Sequence, residues 1–150
     1  AYDIKGNLVN FAKFKDQVTI VVNVASYCGF TDEHYKQLVQ LWSQVKDTGK
    51  VNILAFPCNQ FGAQEPESND AIFQFSLTKG VDFLMMSKVN VNGANANLVY
   101  KYLKKVAGPT TITWNFATVR SKSHWFVWIS FGDLMYSDLI PTHPPVTCAS

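Results

Sequence analysis

Cys28 follows closely on an apolar, β-branched run at residues 18–25 and opens the tetrad Cys28, Gly29, Phe30, Thr31. If a strand stops there and a helix begins, free backbone N–H groups and the positive end of the helix dipole face the sulfur and favour thiolate over thiol. The size of that help is calculable. An ordinary thiol with pKa about 8.5 is roughly 3% ionised at pH 7, and about 90% ionisation requires a pKa near 6, worth about 3.4 kcal/mol. The dipole supplies only about 0.3–1 kcal/mol. A reactive Cys28 therefore needs further donors, at about 1.5–3 kcal/mol for each bond to a charged group. The other reading of Cys28 is a buried residue at a helix start, since free cysteine is among the most buried residue types.

Two other segments carry candidate donors. Residues 56–62 read FPCNQFG, where Asn59 and Gln60 bring side-chain amides; as loop residues they equally satisfy their own backbone. Cys58 within that segment is either a second redox cysteine or a small packed hydrophobe. Trp114, Asn115 and Phe116 form the third group. An indole N–H donates and accepts nothing, which suits a thiolate partner, and the alternative is a core tryptophan. The Cys28 tetrad resembles the Cys-x-x-Cys of disulfide oxidoreductases with Thr31 at the second cysteine, which forbids a disulfide inside it. Cys148 lies in a proline-rich end and is read as incidental. His34 is expected on the wet face of a helix, and no Cys/His pair has zinc-ligand spacing, so no metal is expected.

The elements that must position these residues follow from periodicity. Residues 18–25 read as a strand buried on both faces, interrupted only by Asn23. From residue 32 to about 46, Tyr35, Leu38, Val39, Trp42 and Val45 recur at helical spacing. Thr31 or Asp32 is the expected N-cap and Gly49 the stop. Residues 51–56 form a second apolar run, so strand, helix and strand make a crossover with parallel strands. Ligands collect beyond the carboxyl ends of such strands, which brings residues 26–30 and 57–62 together. A further helix is expected at 68–78, a strand at 83–91, a turn at Asn92 and Gly93, and a helix at 95–107 ended by Gly108 and Pro109. Residues 125–131 pattern as a strand, and Pro141, Pro144 and Pro145 make the last ten residues unsuited to regular structure.

Composition narrows the function classes. The 150 residues, 47% hydrophobic and 16% charged, suit one packed domain rather than a disordered chain. The net charge of +2 is scattered, with no footprint for nucleic acid. The apolar runs at 18–25 and 125–131 fall well short of the roughly 20 residues a membrane helix needs. Three cysteines are too few for a disulfide framework. The amino terminus carries no targeting pattern, so the compartment, secretory pathway or cytoplasm, stays open.

Taken together and in order, NVASYCGFT (23–31), LAFPCNQFG (54–62) and WNF (114–116) resemble the three signature segments of the glutathione peroxidase family, with EPESND from Glu65 and VNVNG from Val89 in the same style. The resemblance implies an α/β, thioredoxin-like fold with a central mixed sheet flanked by helices. It implies a domain at 1–116, followed by a divergent carboxyl-terminal tail at 117–150 that departs from the family pattern and is a candidate to complete the sheet edge. By position, Cys28 matches the peroxidatic cysteine, and Gln60, Trp114 and Asn115 complete the catalytic tetrad. The implied activity is reduction of hydrogen peroxide or organic and lipid hydroperoxides through a Cys28 sulfenic acid, with no cofactor beyond an electron-donating thiol.

The branch is set by what replaces the family's resolving cysteine. Leu77, beside Ser76, stands where thioredoxin-reduced members carry it, so the pattern resembles members that draw electrons from glutathione or a protein disulfide isomerase rather than a thioredoxin-type reductant. Cys58 then resolves Cys28, or an external thiol reduces Cys28 directly. The absence of a long insertion between Lys105 and Trp114 is like the monomeric members that accept lipid hydroperoxides. Two other roles compete: a peroxide sensor or oxidase passing disulfides to a protein partner, and a catalytically inactive isoform created by the altered carboxyl terminus.

Overall fold

The computed structural model describes residues 1–107, 111–116 and 126–127. The β-branched run becomes β1, Val18–Val24, buried at every position. Beside it lies β2, Val51–Pro57, in parallel register from Val18 opposite Val51 to Val24 opposite Pro57. The crossover between them is α1, Thr31–Val45, followed by a 3-10 turn at Lys46–Thr48 that Gly49 closes in the left-handed region at φ 64°. β3, Leu84–Met85, adds parallel to the other edge of β2, and β4, Phe126–Val127, adds parallel to β1. The sheet order is β3-β2-β1-β4. The antiparallel pairings among the described residues are two isolated bridges outside those strands, Tyr2 to Leu8 and Asp3 to Met86. Two helices complete the chain: α2, Asn69–Thr78, and α3, Leu98–Ala107.

Successive residues of a strand point to opposite faces, and that alternation splits the core in two. Ile20, Val22, Val24, Ile53 and Ala55 face Tyr35 and Leu38 of α1 and Ile72 of α2. Val21, Leu54 and Phe56 face Tyr100 and Leu103 of α3. Phe56 meets Tyr100 edge-on at 5.3 Å between ring centroids, a geometry worth about 0.5–1.5 kcal/mol beyond burial. Cys28 belongs to the first cluster and Cys58 to the second.

Several local expectations need correction. Thr31 does not cap α1. It is the first helical residue, the capping position is Phe30 without a side-chain bond, and Thr31 Oγ1 donates to Ala25 O at 2.7 Å, pinning the helix start to the end of β1. The strand expected at 83–91 keeps only two ladder residues, because Lys88 N turns off to Asn69 Oδ1. The last helix starts at Leu98 rather than at residue 95, since Asn97 Oδ1 accepts from Val99 N at 2.9 Å and caps it there. The strand expected at 125–131 is met at Phe126–Val127; the rest of residues 117–150, Cys148 included, lies outside the described residues.

Candidate active site

Cys28 lies where the crossover expectation put it, between the carboxyl end of β1 and the first turn of α1, and its C=O accepts from Thr31 N at 3.0 Å. The residue is 8% exposed, whereas its neighbours Tyr27 and Phe30 are 59% and 62% exposed. Cys28 is thus buried between two exposed aromatic neighbours. His34, expected on the wet face of α1, is instead half-buried, with its ring 4.7 Å from that of Phe116, and burial lowers its pKa.

The second loop leaves β2 through Cys58, whose N–H donates to Val24 O at 3.0 Å and holds the two strand ends together. Cys58 is wholly buried. Burial pushes its thiol pKa up against the pull of nearby backbone amides, and the thiol donates to Gln60 Oε1 at 3.7 Å. Gln60 Oε1 also accepts from Val91 N at 2.7 Å and Asn92 N at 2.9 Å, while its Nε2 donates to Asn92 O at 3.1 Å. A primary amide has two N–H bonds, so one donor of Gln60 remains for a ligand.

The third segment is held by a residue that stands in the sequence only as an interruption of an apolar run. Asn23, buried in β1, donates from Nδ2 to Trp114 O at 3.0 Å, and its own C=O accepts from Phe116 N at 2.8 Å. Trp114 is 45% exposed, so it is not a core tryptophan. Its ring lies over Gly62, where φ is +63° and an added Cβ would stand 3.5 Å from the indole edge. Asn115 is buried and donates to Gln64 Oε1 at 2.8 Å.

Gln64 is not among the residues expected at the site, yet it joins two parts of it. Its C=O accepts from Tyr27 N at 3.0 Å, so one residue touches both the Cys28 loop and Asn115. The following strap is fixed by Asn59 Oδ1, accepting from Glu65 N at 2.8 Å. Lys88 Nζ adds bonds to the carbonyls of Glu65, Pro66 and Glu67 at 3.2, 3.2 and 2.6 Å. The Glu65 carboxyl is completely buried. Burial raises its pKa to about 7, offset in part by the Ser26 hydroxyl and amide and by the Lys88 charge. Only its place in a family-like string marks Glu65 in the sequence; nothing there signals a proton shared with the interior.

Three tethers therefore gather the candidate residues at the carboxyl edge of the sheet: Asn23 to Trp114, Gln64 to both Tyr27 and Asn115, and Gln60 to the turn at Asn92. Among the described residues, no helix is long and apolar enough to cross a membrane.

Residues 1–104 match the family described as Glutathione peroxidase. The chain is 48% identical over 118 residues to the Helianthus annuus protein named "Probable phospholipid hydroperoxide glutathione peroxidase", a stretch of 76% of this chain and 65% of that one. It is 50% identical over 119 residues to Glutathione peroxidase 7 of Homo sapiens, covering 77% of this chain and 62% of the relative. A solved structure described as "Crystal structure of Trgpx in apo form" superposes with a TM-score of 0.58 at 36% identity, over 76% of this chain and 69% of that one. The chain thus spans somewhat less than two thirds of the two relatives' lengths. Its fold is the expected thioredoxin-like α/β arrangement, and by the match over residues 1–104 the chain belongs to the glutathione peroxidase family.

Proposed function

We propose that the chain is a thiol-dependent peroxidase, with residues 1–116 as its catalytic unit, Cys28 as its nucleophile, and hydrogen peroxide and organic or lipid hydroperoxides as substrates. The observation that carries the reading is the convergence of Cys28, Gln60, Trp114 and Asn115 on one sheet edge through the tethers of Asn23, Gln64 and Asn92. Family membership supports the reaction class. The exposed rim of Tyr27 and Phe30 suits substrates too bulky for a closed pocket.

In the proposed cycle the Cys28 thiolate attacks one peroxide oxygen, the O–O bond breaks, and the departing oxygen takes a proton to leave as water or alcohol. Cys28 becomes a sulfenic acid. The free N–H groups of Gln60 and Asn115 and the Trp114 indole stabilise the thiolate and the developing oxyanion. A first external thiol condenses with the sulfenic acid, releasing water and forming a mixed disulfide. A second thiol releases Cys28 and carries away the disulfide. We assign reduction to an external thiol, glutathione or a protein thiol, rather than to Cys58, because Cys58 is wholly buried and packs against the opposite face of the sheet. Leu77 is 48% exposed and offers no thiol in the place of a resolving cysteine.

The test is the rate of Cys28 sulfenic-acid formation with hydrogen peroxide and with a lipid hydroperoxide, trapped and located by mass spectrometry across pH. Rapid trapping on Cys28 supports the reading. Reaction no faster than that of a free thiol refutes it.

A further inference from the structure

Asn92 spends all of its polar atoms joining the two halves of the candidate site. Its backbone grips Gln60 at two points: N–H to Oε1 at 2.9 Å and C=O from Nε2 at 3.1 Å. Its side chain grips the backbone of Ile112 at two more: Nδ2 to Ile112 O at 2.8 Å and Oδ1 from Ile112 N at 3.1 Å. Ile112 is itself buried and precedes Trp114 by two residues. Lys104 of α3 fixes the amide's orientation, donating from Nζ to Asn92 Oδ1 at 2.5 Å and to Val91 O at 2.7 Å. A cationic donor takes only an acceptor, so Oδ1 must face Lys104 and Nδ2 is directed to the Ile112 carbonyl. Gly93, at φ +83°, turns the chain immediately afterwards, so the clamp sits at a fixed corner rather than on a free loop.

We propose that Asn92 is a positioning residue of the peroxidase site, a clamp that sets Gln60 in register with the Trp114–Asn115 segment. The proposal rests on the functional reading above. Gln60 and Trp114 come from segments more than 50 residues apart and share no ladder. Asn92 is bonded directly to Gln60 and to the chain leading into Trp114. A displacement of about 1 Å in a catalytic group can cost on the order of a hundredfold in rate, and a two-point grip on each side is the device that prevents it. Asn92 touches neither Cys28 nor the peroxide in this scheme.

The experiment measures the second-order rate of Cys28 sulfenylation by hydrogen peroxide for Asn92→Ala in two backgrounds, the unaltered chain and the double variant Gln60→Ala, Trp114→Phe. Loss of the side chain should slow sulfenylation about tenfold in the unaltered chain and less than twofold in the double variant, where no register is left to protect. The same factor in both backgrounds, or less than twofold in the first, overturns the proposal, because a merely structural Asn92 acts without regard to Gln60 and Trp114. A double variant that reacts as fast as the unaltered chain refutes the peroxidase reading of Gln60 and Trp114 instead. Should Asn92→Ala not fold, Asn92→Asp keeps the acceptor for Lys104 and sets a carboxylate oxygen against Ile112 O in place of the donor. It is measured in the same two backgrounds, with about a threefold loss expected in the first alone and equal factors again overturning the clamp.

Discussion

Cys28 and Cys58 leave the ends of two strands that lie side by side, Val24 opposite Pro57, and the molecule treats them differently. The loop after β1 runs for six residues, 25–30, before α1 begins, which sets Cys28 near the helix start between exposed Tyr27 and Phe30. The loop after β2 turns at once: Cys58 N–H is still bonded to Val24 O, and its side chain falls on the α3 side of the sheet among Phe56, Tyr100 and Leu103. One thiol is buried between exposed neighbours, with unspent amide donors in the adjoining segments. The other is desolvated and donates its proton to Gln60. The surroundings of each thiol are thus a property of loop length and strand pleat, not of cysteine content.

The sharpest way to break that contrast is substitution. Cys28→Ser should abolish sulfenic-acid trapping and peroxide turnover, a loss of at least about a thousandfold, since a hydroxyl is the weaker nucleophile and has no sulfur to oxidise to a sulfenic acid. Cys58→Ser should leave first-turnover sulfenylation of Cys28 within about twofold. Equal losses in the two variants would sink the assignment of separate roles. Alkylation offers a second, smaller contrast: the native protein should take iodoacetamide at Cys28 on the order of a hundredfold faster than at Cys58, with the difference vanishing in denaturant. Mass spectrometry of the labelled peptides reads it.

Glu65 sharpens the comparison because it feels both regions, Ser26 on the Cys28 side and Cys58 on the other. Its carboxyl titrates near 7 in the folded chain against 4.5 as the reference, so the folded state holds the proton longer than the unfolded one. Its contribution to stability is complete below about pH 4.5 and is lost as pH rises to about 7, amounting to about 3 kcal/mol. Glu65→Gln should remove that fall and be the more stable protein at pH 8, as measured by denaturant unfolding at a series of pH values. An unchanged pH slope would show that the carboxyl is ionised and solvated. The smallest expected effect is Thr31→Val. Losing the bond to Ala25 O should cost about 1 kcal/mol of stability and slow Cys28 sulfenylation severalfold, while Cys58 labelling stays as it was.

Much of the fold and part of the site are legible in the amino-acid order. The run at 18–25 marks β1 nearly to the residue because a strand buried on both faces leaves no room for alternation, and the 3.6-residue spacing of Tyr35, Leu38 and Val45 marks α1. Gly49 at +64° and Ser68 as a cap, accepting from Ala71 N, are local chemistry that local sequence can announce. The helix start at 98 and the shortened β3 depart from the apolar pattern because bonds of Asn97 and Asn69 outcompete it. His34 reverses its expected exposure for a similar reason, and Trp114 departs from the core-tryptophan alternative. Only the packing of the 114–116 segment on β1 decides which ring lies on Phe116 and which faces outward.

By itself, then, the sequence determined the strand-helix-strand unit, the place of Cys28 at the junction, and the family to which the three segments belong. Those depend on residue types at short range, where periodicity and turn chemistry act. Tertiary structure alone decided that Asn23 fastens Trp114, that Gln64 bridges Tyr27 and Asn115, that Asn92 grips Gln60 and Ile112, and that Cys58 is hidden. Each of these is a hydrogen bond or a burial between segments separated by 20 to 91 residues. Such a bond is specified by the folded register of the sheet rather than by any pattern within one segment.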